Sequence, residues 1–495
     1  MWVNLNKNWF IRSISGGFEL YSFEDNFEVR INNQKYLNSL KSIVRGEKEV
    51  PVKNKEIKEF LNNLEQKGII SFTDRFSLST VDQSNLRNLI DGITQKVMGE
   101  NCSIIEEIYF ANPKESNFSP ALNFFTAGYM EETTKEKSWS FGVDKNKNVA
   151  EIKAIVEALE RYTSGIIPFS ETIKSSAEKL GDLAIDPNDI RLYRQKNKKV
   201  FPFSREQEYL WKEVIVLPDN KKAYLPIECI YYPINESVAP KPCMLANSSG
   251  VASSFSFNEA LLGAIYEYVE RDAFMMTWLN RAVMPRINKN LLPEEIKVRI
   301  KKIENIGYDV HFINITIDVA PVILVTIIDY SNDPSLMIGA SSNLNILKAC
   351  SKSLLEAEQQ LYWAVRKDRP EYPIPKKQSE VKSVIDHGLF YRPPSRLKKA
   401  SFLWSGEFQK EINQNLIYKN ELKEIIKRID SLGMKVVVAD MSRQSLPYGI
   451  YTVRAIIPGL IPVYFGYGNE PFEMKRLEMI GNGWKNKKSY IHPFA

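Results

Sequence analysis

The sequence is poor in the residues that build soft-metal sites and covalent cross-links. Its 495 residues include only four cysteines and three histidines. The cysteines share no Cys-x-x-Cys spacing, which argues against a structural zinc site and against a disulfide framework. Spacing alone leaves a catalytic Cys/His pair open, although isolated cysteines in such chains are usually buried as small hydrophobic residues.

Long hydrophobic runs are also missing. The N-terminus, MWVNLNKNWFIRSIS, has no apolar core of signal-peptide length, and no run reaches the roughly 18 apolar residues of a membrane span. The 66 basic and 60 acidic residues leave a net charge of +6, far from the basic surplus of a nucleic-acid-binding protein. We therefore expect a cytoplasmic protein that binds neither nucleic acid nor membranes.

The first 72 residues differ in pattern from the rest. FELYSF and NFEVRI alternate apolar and polar residues, as strands with one buried face do, and QKYLNSLKSIVRG and EIKEFLNNLEQKGII follow as a helix pair. Strands with a helix pair predict a small winged-helix-like module that binds nucleic acid or a peptide or serves as scaffold. The polar stretch that begins near Ser71 predicts a linker into a second domain, residues 82–495.

The second domain mixes strands and long helices. Predicted helices cover 151–163, 259–278 and 347–366, and apolar segments such as EEIYFA, YLWKEVIVLP, VILVTIID and MKVVVADM read as strands between them. This mixture predicts an α+β or α/β sandwich. No period of 20 to 50 residues is visible, so a repeat architecture is not expected.

The predicted helix within Asn247–Arg281 is apolar on most faces but carries a stripe of acids. At roughly 100° per residue, Glu259, Glu267 and Glu270 fall on one side, and apolar residues cover the others. A helix that is apolar nearly all round is a buried helix, and buried like charges must be paired or must bind a cation. Glu259 has a structural alternative, since Ser256 and Glu259 have the spacing of a capping box.

Two other predicted helices carry related patterns. Glu157, Glu160 and Arg161 repeat the Glu-x-x-Glu-Arg motif, although on their own they are more typical of a solvated helix face. Glu356 and Gln359 lie on one side of the third helix. Oxygen ligands with arginines beside them are what Mg²⁺ bridged to phosphates requires. The chain has no Gly-x-x-x-x-Gly-Lys-Ser/Thr loop and no kinase signature, so any ATP site must be of another kind.

At these residues the chain resembles the YcaO family, ATP-dependent enzymes that modify peptide backbone amides. The resemblance spans about Asp82 to the end. It rests on VAEIKAIVEALERYTSG, NSSGVASSFSFNEALLGAIYEYVERDAFMMTWLNR, SLLEAEQQLYW, AIIPGLIPVYFGYGNE and the C-terminal HPFA. The chain is most similar to the branch that forms thiazoline and oxazoline rings in ribosomally made peptides, products that include bacteriocins and other antibiotics.

The resemblance implies a set of site residues around ATP and Mg²⁺. The expected nucleotide- and metal-contacting residues are Glu157, Glu160, Arg161, Glu259, Glu267, Glu270, Arg271, Glu356 and Gln359. Four of these are the expected metal ligands: Glu157, Glu160, Glu267 and Glu270. The chain departs from the family pattern at Lys153, where a small hydroxyl residue is common, and at Ala495, where the family usually ends in proline.

The resemblance also implies a mechanism without a covalent enzyme nucleophile. A Cys, Ser or Thr side chain of the substrate attacks the preceding carbonyl, ATP phosphorylates the resulting oxyanion, and departure of phosphate leaves an azoline ring. The enzyme holds the reactants in place and neutralises charge. The C-terminal carboxylate of Ala495 and the imidazole of His492 are the candidate proton acceptors, although a histidine in a tail is more often a packing residue.

The implied partners are a precursor peptide with a leader, a leader-binding protein and a flavin-dependent azoline dehydrogenase, and a homodimer is left open. The N-terminal module either grips the leader itself or docks such a partner. Two alternatives to ring formation remain: an ATP-dependent enzyme that installs a thioamide from external sulfide, and a non-catalytic docking scaffold. A scaffold, however, has no reason to retain six carboxylates on three helices.

Overall fold

The computed structural model describes most of the second domain and only short backbone stretches before it. The described residues are 2–5, 9–14, 17–22, 27–31, 59, 70–73, 83–99, 102–111, 122–131, 136–190, 200–244, 246–366, 372–412, 418–442, 445, 449–486 and 491–494. Ala495 and nearly all of the two helices predicted in the N-terminal module lie outside them.

Strands of the N-terminal module form two small antiparallel sheets. One pairs β1 (Trp2–Leu5) with β5 (Ile70–Thr73), and the other has the order β2 (Trp9–Ile14), β3 (Gly17–Ser22), β4 (Phe27–Ile31). The predicted strands FELYSF and NFEVRI correspond to β3 and β4. The winged-helix-like assignment of residues 1–72 stays a prediction, because its helices lie outside the described residues, and so does the division of the chain into this module and a second domain.

The second domain begins with a helix and a three-stranded sheet. Helix α1 (Gln83–Val97) leads through the short pair β6 (Met98–Gly99) and β7 (Cys102–Ser103) into β8 (Ile105–Ala111), β9 (Asn123–Met130) and β10 (Lys137–Asp144). The sheet is antiparallel in the order β10-β9-β8, and helix α2 (Lys147–Ser164) packs against β9 and β10.

A six-stranded sheet follows in the centre of the domain. Its path is β11 (Thr172–Ser176), β12 (Glu208–Leu217), β20 (Val436–Asp440), β21 (Tyr451–Ile456) and β14 (Val251–Ser254), and β13 (Lys221–Pro226) pairs with β12. The short helix α3 (Ala177–Leu180) adjoins β11. Helix α4 (Phe257–Asn280) packs against β14 and β21.

A second large sheet has five strands. Its order is β18 (Leu336–Ser342), β17 (Val322–Ile328), β16 (Asp309–Asn314), β15 (Arg286–Ile287) and β19 (Phe408–Gln409). Helix α5 (Glu294–Glu304) adjoins β16, helix α6 (Ile346–Val365) packs on β17 and β18, and α7 (Val384–Phe390) and α8 (Glu421–Ser431) follow. The three long predicted helices and the strands between them are confirmed, with the mixed α/β class.

Helix α4 is buried on nearly all faces, as its sequence predicts. Its apolar residues join the largest core cluster, together with residues of β12, β20 and β21. It ends at Arg281, whose φ of 52° is left-handed and stops the helix. None of the described helices is both long and apolar enough to cross a membrane.

Candidate active site

Helices α2, α4 and α6 begin in the same way and carry their acids at the same distance from the start. A side-chain oxygen of the N-cap residue accepts backbone N–H groups of the first turn in each helix; these N-caps are Asn146, Ser256 and Asn345. Eleven residues further on, each helix has a glutamate, and a second acid or amide follows three residues later. The domain thus contains three copies of one strand–helix unit, which are too far apart and too divergent in sequence to show as a short repeat.

The first glutamate of each unit reaches back to the strand or loop before its helix. In α2 the Glu157 carboxylate accepts the Phe141 N–H at 2.9 Å, and in α4 the Glu267 carboxylate accepts the Gly250 N–H at 2.8 Å. In α6 the Glu356 carboxylate accepts the Ala340 N–H at 3.3 Å. Each bond fixes a carboxylate at the edge of a sheet, so the shared spacing produces a shared geometry.

Two glycines allow the helices to lie directly on the strands. A Cβ atom on Gly142 would lie 1.9 Å from the Ala150 carbonyl oxygen, and one on Gly339 would lie 2.2 Å from the Ser353 carbonyl oxygen. Neither distance leaves room for a side chain. The close approach of strand and helix is what brings the backbone N–H groups within reach of the glutamates.

Each arginine of the Glu-x-x-Glu-Arg motifs lies between the two acids of its own helix. Arg161 is 3.3 Å from Glu157 and 3.8 Å from Glu160. Arg271 is 3.1 Å from Glu267. Its Nε atom lies 3.6 Å from the Glu270 carboxylate, too far for a hydrogen bond. The two helices therefore repeat the same arrangement of charges.

The acids of the three helices are close enough to perturb one another. Burial raises the pKa of Glu160 to about 8, and the charges of Glu267 on α4 and Glu157 add to this effect against Arg161. Burial and the charge of Glu356 on α6 raise the pKa of Glu270 well above its usual value. An acid of α2 therefore interacts with an acid of α4, and acids of α4 interact with Glu356 of α6.

The part of the site on α6 is open to solvent. The Glu356 and Lys352 side chains keep exposed surface, but the protein around their charged ends partly desolvates them, which raises the pKa of Glu356 to about 7 and lowers the pKa of Lys352. Lys352 lies one turn before Glu356 on the same helix face, a spacing that the sequence analysis overlooked. One cleft of about 290 Å³ lies between α2, β10 and β14, and Lys153, Glu157, Glu160, Ser253 and Ser254 contribute to its wall.

The residue types in this cavity fit a hard cation. Carboxylate oxygens are the ligands that Mg²⁺ prefers, and like charges that raise one another's pKa would be stabilised by a cation among them. In the part of the chain that the structure describes, no three His, Cys, Asp or Glu side chains converge closely enough to form a metal cage. Backbone N–H groups and the two arginines hold the carboxylates apart, so a cation would have to draw them together.

Glu259 and Gln359 lie at the margin of this arrangement. Ser256 caps α4 as predicted, accepting the Glu259 N–H at 3.2 Å, while the Glu259 carboxylate accepts the Ser254 hydroxyl at 2.9 Å. Gln359 is half-buried and follows Glu356 by three residues. The neighbouring Gln360, which the sequence analysis did not single out, accepts the Ile338 N–H at 3.1 Å.

Of the two predicted proton acceptors, Ala495 and His492, the structure describes only His492. Ala495 lies outside the described residues, so its role stays a prediction. His492 is fully buried; its Nε2 atom lies 2.6 Å from the Tyr464 carbonyl oxygen and donates to it. Burial and the neighbouring His387 lower the pKa of His492 well below the usual value. A buried neutral imidazole bound to a carbonyl is suited to packing, and its catalytic role also stays a prediction.

Comparison with known sequences identifies a matching family. Residues 141–461 match the model of the YcaO family, described as a YcaO cyclodehydratase that binds ATP and Mg²⁺. This stretch contains all three helices of the cavity. A curated relative, an uncharacterized protein of Methanothermobacter thermautotrophicus, is 22% identical over 334 residues, which are 64% of this chain and 80% of the relative.

Comparison with solved structures gives the same fold. A heterocyclase in complex with substrate and cofactor has a TM-score of 0.61 at 17% identity over 92% of this chain, although this chain covers only 60% of that protein. YcaO from Methanopyrus kandleri, bound with AMPPCP and Mg²⁺, has a TM-score of 0.59 at 15% identity, over 82% of this chain and 95% of that one. The E. coli microcin synthetase McbBCD complex has a chain with a TM-score of 0.54 at 14% identity, over 78% and 96%.

Proposed function

This chain belongs to the YcaO family, whose members bind ATP and Mg²⁺, and from that premise we propose that it is a peptide cyclodehydratase. It converts Cys, Ser or Thr residues of a ribosomally made precursor peptide to thiazoline or oxazoline rings. The observation that carries the proposal is the proximity of acids from three helices, Glu157, Glu160, Glu267, Glu270 and Glu356, whose charges influence one another.

The carboxylates and arginines divide the binding between them. Glu157, Glu160, Glu267 and Glu270 would hold the metal, because they are the carboxylates of the two Glu-x-x-Glu-Arg motifs and a cation would offset their mutual repulsion. Arg161 and Arg271 would contact the nucleotide phosphates. Glu356 on α6 lies near the same acids. Glu259 accepts a hydrogen bond from Ser254, which lies in the wall of the cleft. When bound, Mg·ATP supplies the phosphoryl group that makes the amide oxygen a leaving group.

The residues of the cavity suit a reaction in which the enzyme forms no covalent bond. The described wall of the cleft contains neither cysteine nor histidine, and its serines are Ser253 and Ser254. Catalysis then consists of holding substrate and nucleotide together and of neutralising the oxyanion that forms when the side chain attacks. This division of tasks favours substrate-derived nucleophiles over an acyl-enzyme.

The N-terminal module is the proposed contact with leader peptide or partner. Residues 1–72 contribute antiparallel strands, and an extended peptide can join such a sheet at its edge. The similar E. coli structure is a complex of several proteins, and a further complex of it holds its pro-peptide. By analogy, this chain acts with a leader-binding protein, and a flavin-dependent dehydrogenase oxidises its azolines.

The test is a mass measurement on the precursor peptide encoded beside this protein. Purified protein, any partner encoded with it, peptide and Mg·ATP are incubated, and loss of one water per cyclised residue is expected. If the bound peptide keeps its mass, the proposal is wrong. Replacement of one oxygen by sulfur would show the thioamide reaction instead.

An oxygen label separates the proposed phosphorylation from other uses of ATP. The carbonyl oxygen before the reacting residue is labelled with oxygen-18, and the label is followed by mass spectrometry. We expect it in inorganic phosphate, since the amide oxygen departs with the transferred phosphoryl group. Label in AMP would instead show that the amide is adenylated.

A further inference from the structure

The described end of the chain, residues 491–494, is fixed inside the protein. The Ile491 carbonyl accepts the Tyr391 hydroxyl at 2.6 Å, and the Ile491 N–H donates to the Gln378 side chain at 2.9 Å. Ile491 and His492 are both fully buried.

Two neighbouring histidines, His387 and His492, add to these contacts and form what we call the histidine lock. The His387 Nε2 atom accepts the Gly466 N–H at 2.9 Å, so the proton must be on Nδ1, which donates to the His492 carbonyl at 2.9 Å. The His387 and His492 rings lie 4.1 Å apart. Both rings are therefore neutral, and each holds the backbone of a different segment in place.

The contacts of Ile491 and His492 place the ring of Phe494 over Arg271. The ring packs against Phe274 with centroids 4.9 Å apart, and the Arg271 Cζ atom lies 4.6 Å from the Phe494 centroid. A guanidinium at this distance from an aromatic ring makes a cation–π contact, which is stronger where water is excluded. Phe494 is only 5% exposed, so water is excluded here.

Arg271 has few other contacts that fix its orientation. Its Nη2 atom donates to Glu267 at 3.1 Å, but its Nε atom makes no hydrogen bond to any described group. The Glu270 carboxylate is 3.6 Å from that Nε atom. One hydrogen bond leaves the plane of the guanidinium free to turn, and the Phe494 ring supplies the missing constraint.

We propose that Phe494 is a positioning residue that holds the Arg271 guanidinium in the orientation required for nucleotide phosphates, and that His387 and His492 lock Phe494 in place. The inference rests on the nucleotide site proposed above. It gives the tail of this chain a role that does not depend on Ala495 or on proton transfer. Fixing a charged group before the ligand arrives raises affinity, because less freedom is lost on binding.

The test measures binding of AMPPCP with Mg²⁺ by calorimetry, without peptide. Phe494→Leu keeps an apolar side chain in the core but removes the ring. We expect the dissociation constant to rise between about fivefold and thirtyfold, the range of a desolvated cation–π contact. The matched control is Phe408→Leu, since the Phe408 ring also carries an arginine, Arg286, at 4.1 Å, and neither residue is part of the proposed nucleotide site or of the histidine lock. This control should bind AMPPCP as the wild type does.

A double-mutant cycle tests whether Phe494 acts through Arg271. Lysine at 271 keeps the charge but lacks the planar face, so Phe494→Leu should cost much less in an Arg271→Lys background. Equal losses in both backgrounds, or unchanged binding in the single variant, would overturn the proposal. If leucine lowers the melting temperature below the assay range, Phe494→Met refills the volume and takes its place.

The lock is tested by His387→Gln with the same ligand. We expect AMPPCP binding to weaken as in Phe494→Leu, with no further loss when the two changes are combined. Full additivity of the two losses would show that the histidine does not act through Phe494. Because no peptide is present, these results are independent of ring formation: a protein that binds AMPPCP as expected but leaves the peptide unchanged would refute the proposed function alone.

Discussion

The Gly250 N–H donates to the Glu267 carboxylate at 2.8 Å, and the other oxygen of that carboxylate accepts from Arg271 at 3.1 Å. Both oxygens of Glu267 are thus fixed in direction before any ligand binds. Each retains a lone pair, because a carboxylate oxygen can accept two bonds. The position of Glu267 toward a cation is therefore determined in advance, as is that of Glu157, whose two oxygens accept from Phe141 and Arg161.

Replacement of Glu267 by glutamine should abolish most ATP consumption and leave the fold intact. The amide can still accept the Gly250 N–H, but it carries no charge for a cation. We expect turnover to fall about a hundredfold or more, as for the loss of one preorganised charged contact, measured by phosphate release. The matched control is Glu424→Gln on α8, where Arg428 also follows by four residues at 2.9 Å. The site assignment is wrong if the two variants have equal activity.

The metal-free protein should lose stability as the pH rises from 7 to 8. The folded-state pKa of Glu160, about 8, exceeds that of the unfolded chain, so its stabilising contribution is complete at low pH and is lost as pH rises through 8. We expect at most about 1.4 kcal/mol per pH unit from this group. Urea unfolding at several pH values measures the slope.

Saturating Mg²⁺ should flatten this dependence, since the cation replaces the proton among the acids. Glu160→Gln should flatten it without Mg²⁺. A slope that persists unchanged in Glu160→Gln would contradict the pKa assignment.

Low pH should destabilise the protein, because the unfolded chain takes up a proton on His387 before the folded protein does. Burial lowers the pKa of His387 to about 4, whereas the unfolded residue titrates near 6.5. The unfolded chain therefore binds a proton first, and stability falls as the pH drops from 6.5 toward 4, by about 1.4 kcal/mol per pH unit for this group. His387→Gln should reduce the slope of the unfolding free energy by one proton in this window. An unaltered slope would show that His387 is already protonated in the native state.

Substitution of Gly339 by alanine should destabilise the α6 unit. The new Cβ would lie 2.2 Å from the Ser353 carbonyl oxygen and 2.5 Å from the Ala357 nitrogen, and neither backbone atom can move away cheaply. We expect a loss of about 3 kcal/mol or more in the free energy of unfolding. Gly92→Ala in α1 is the control, because nothing lies within 4 Å of its added Cβ. It should be neutral or stabilise by about 0.5–1 kcal/mol.

Much of the local structure follows from the sequence. The apolar pattern around Leu261, Ile265 and Val269 predicted the buried helix α4, and the Ser256 cap predicted its start, because both depend on neighbours within a few residues. The resemblance to the YcaO family predicted the cofactors as well. The sequence could not decide whether Glu157 faces water, because an amphipathic helix has the same residue pattern whether its polar face contacts solvent or a buried site.

The residues that were missed act through distant parts of the chain. Nothing near Phe494 in sequence shows that it would lie over Arg271, and His387 is separated by 105 residues from His492, whose carbonyl it contacts. Lys352 could have been found, since it precedes Glu356 by one helical turn. The threefold unit could also have been found by comparing the distance from each helix cap to its first glutamate.

The sequence by itself determined the helices, their caps and the residues that carry charge, because hydrophobic period and capping act over one or two turns. Only the tertiary structure decided that Glu160, Glu267 and Glu356 come near one another from three helices, and that burial together with their mutual repulsion raises the pKa values of Glu160 and Glu356. Electrostatic energy depends on distance and burial, and both are set by how the strand–helix units pack.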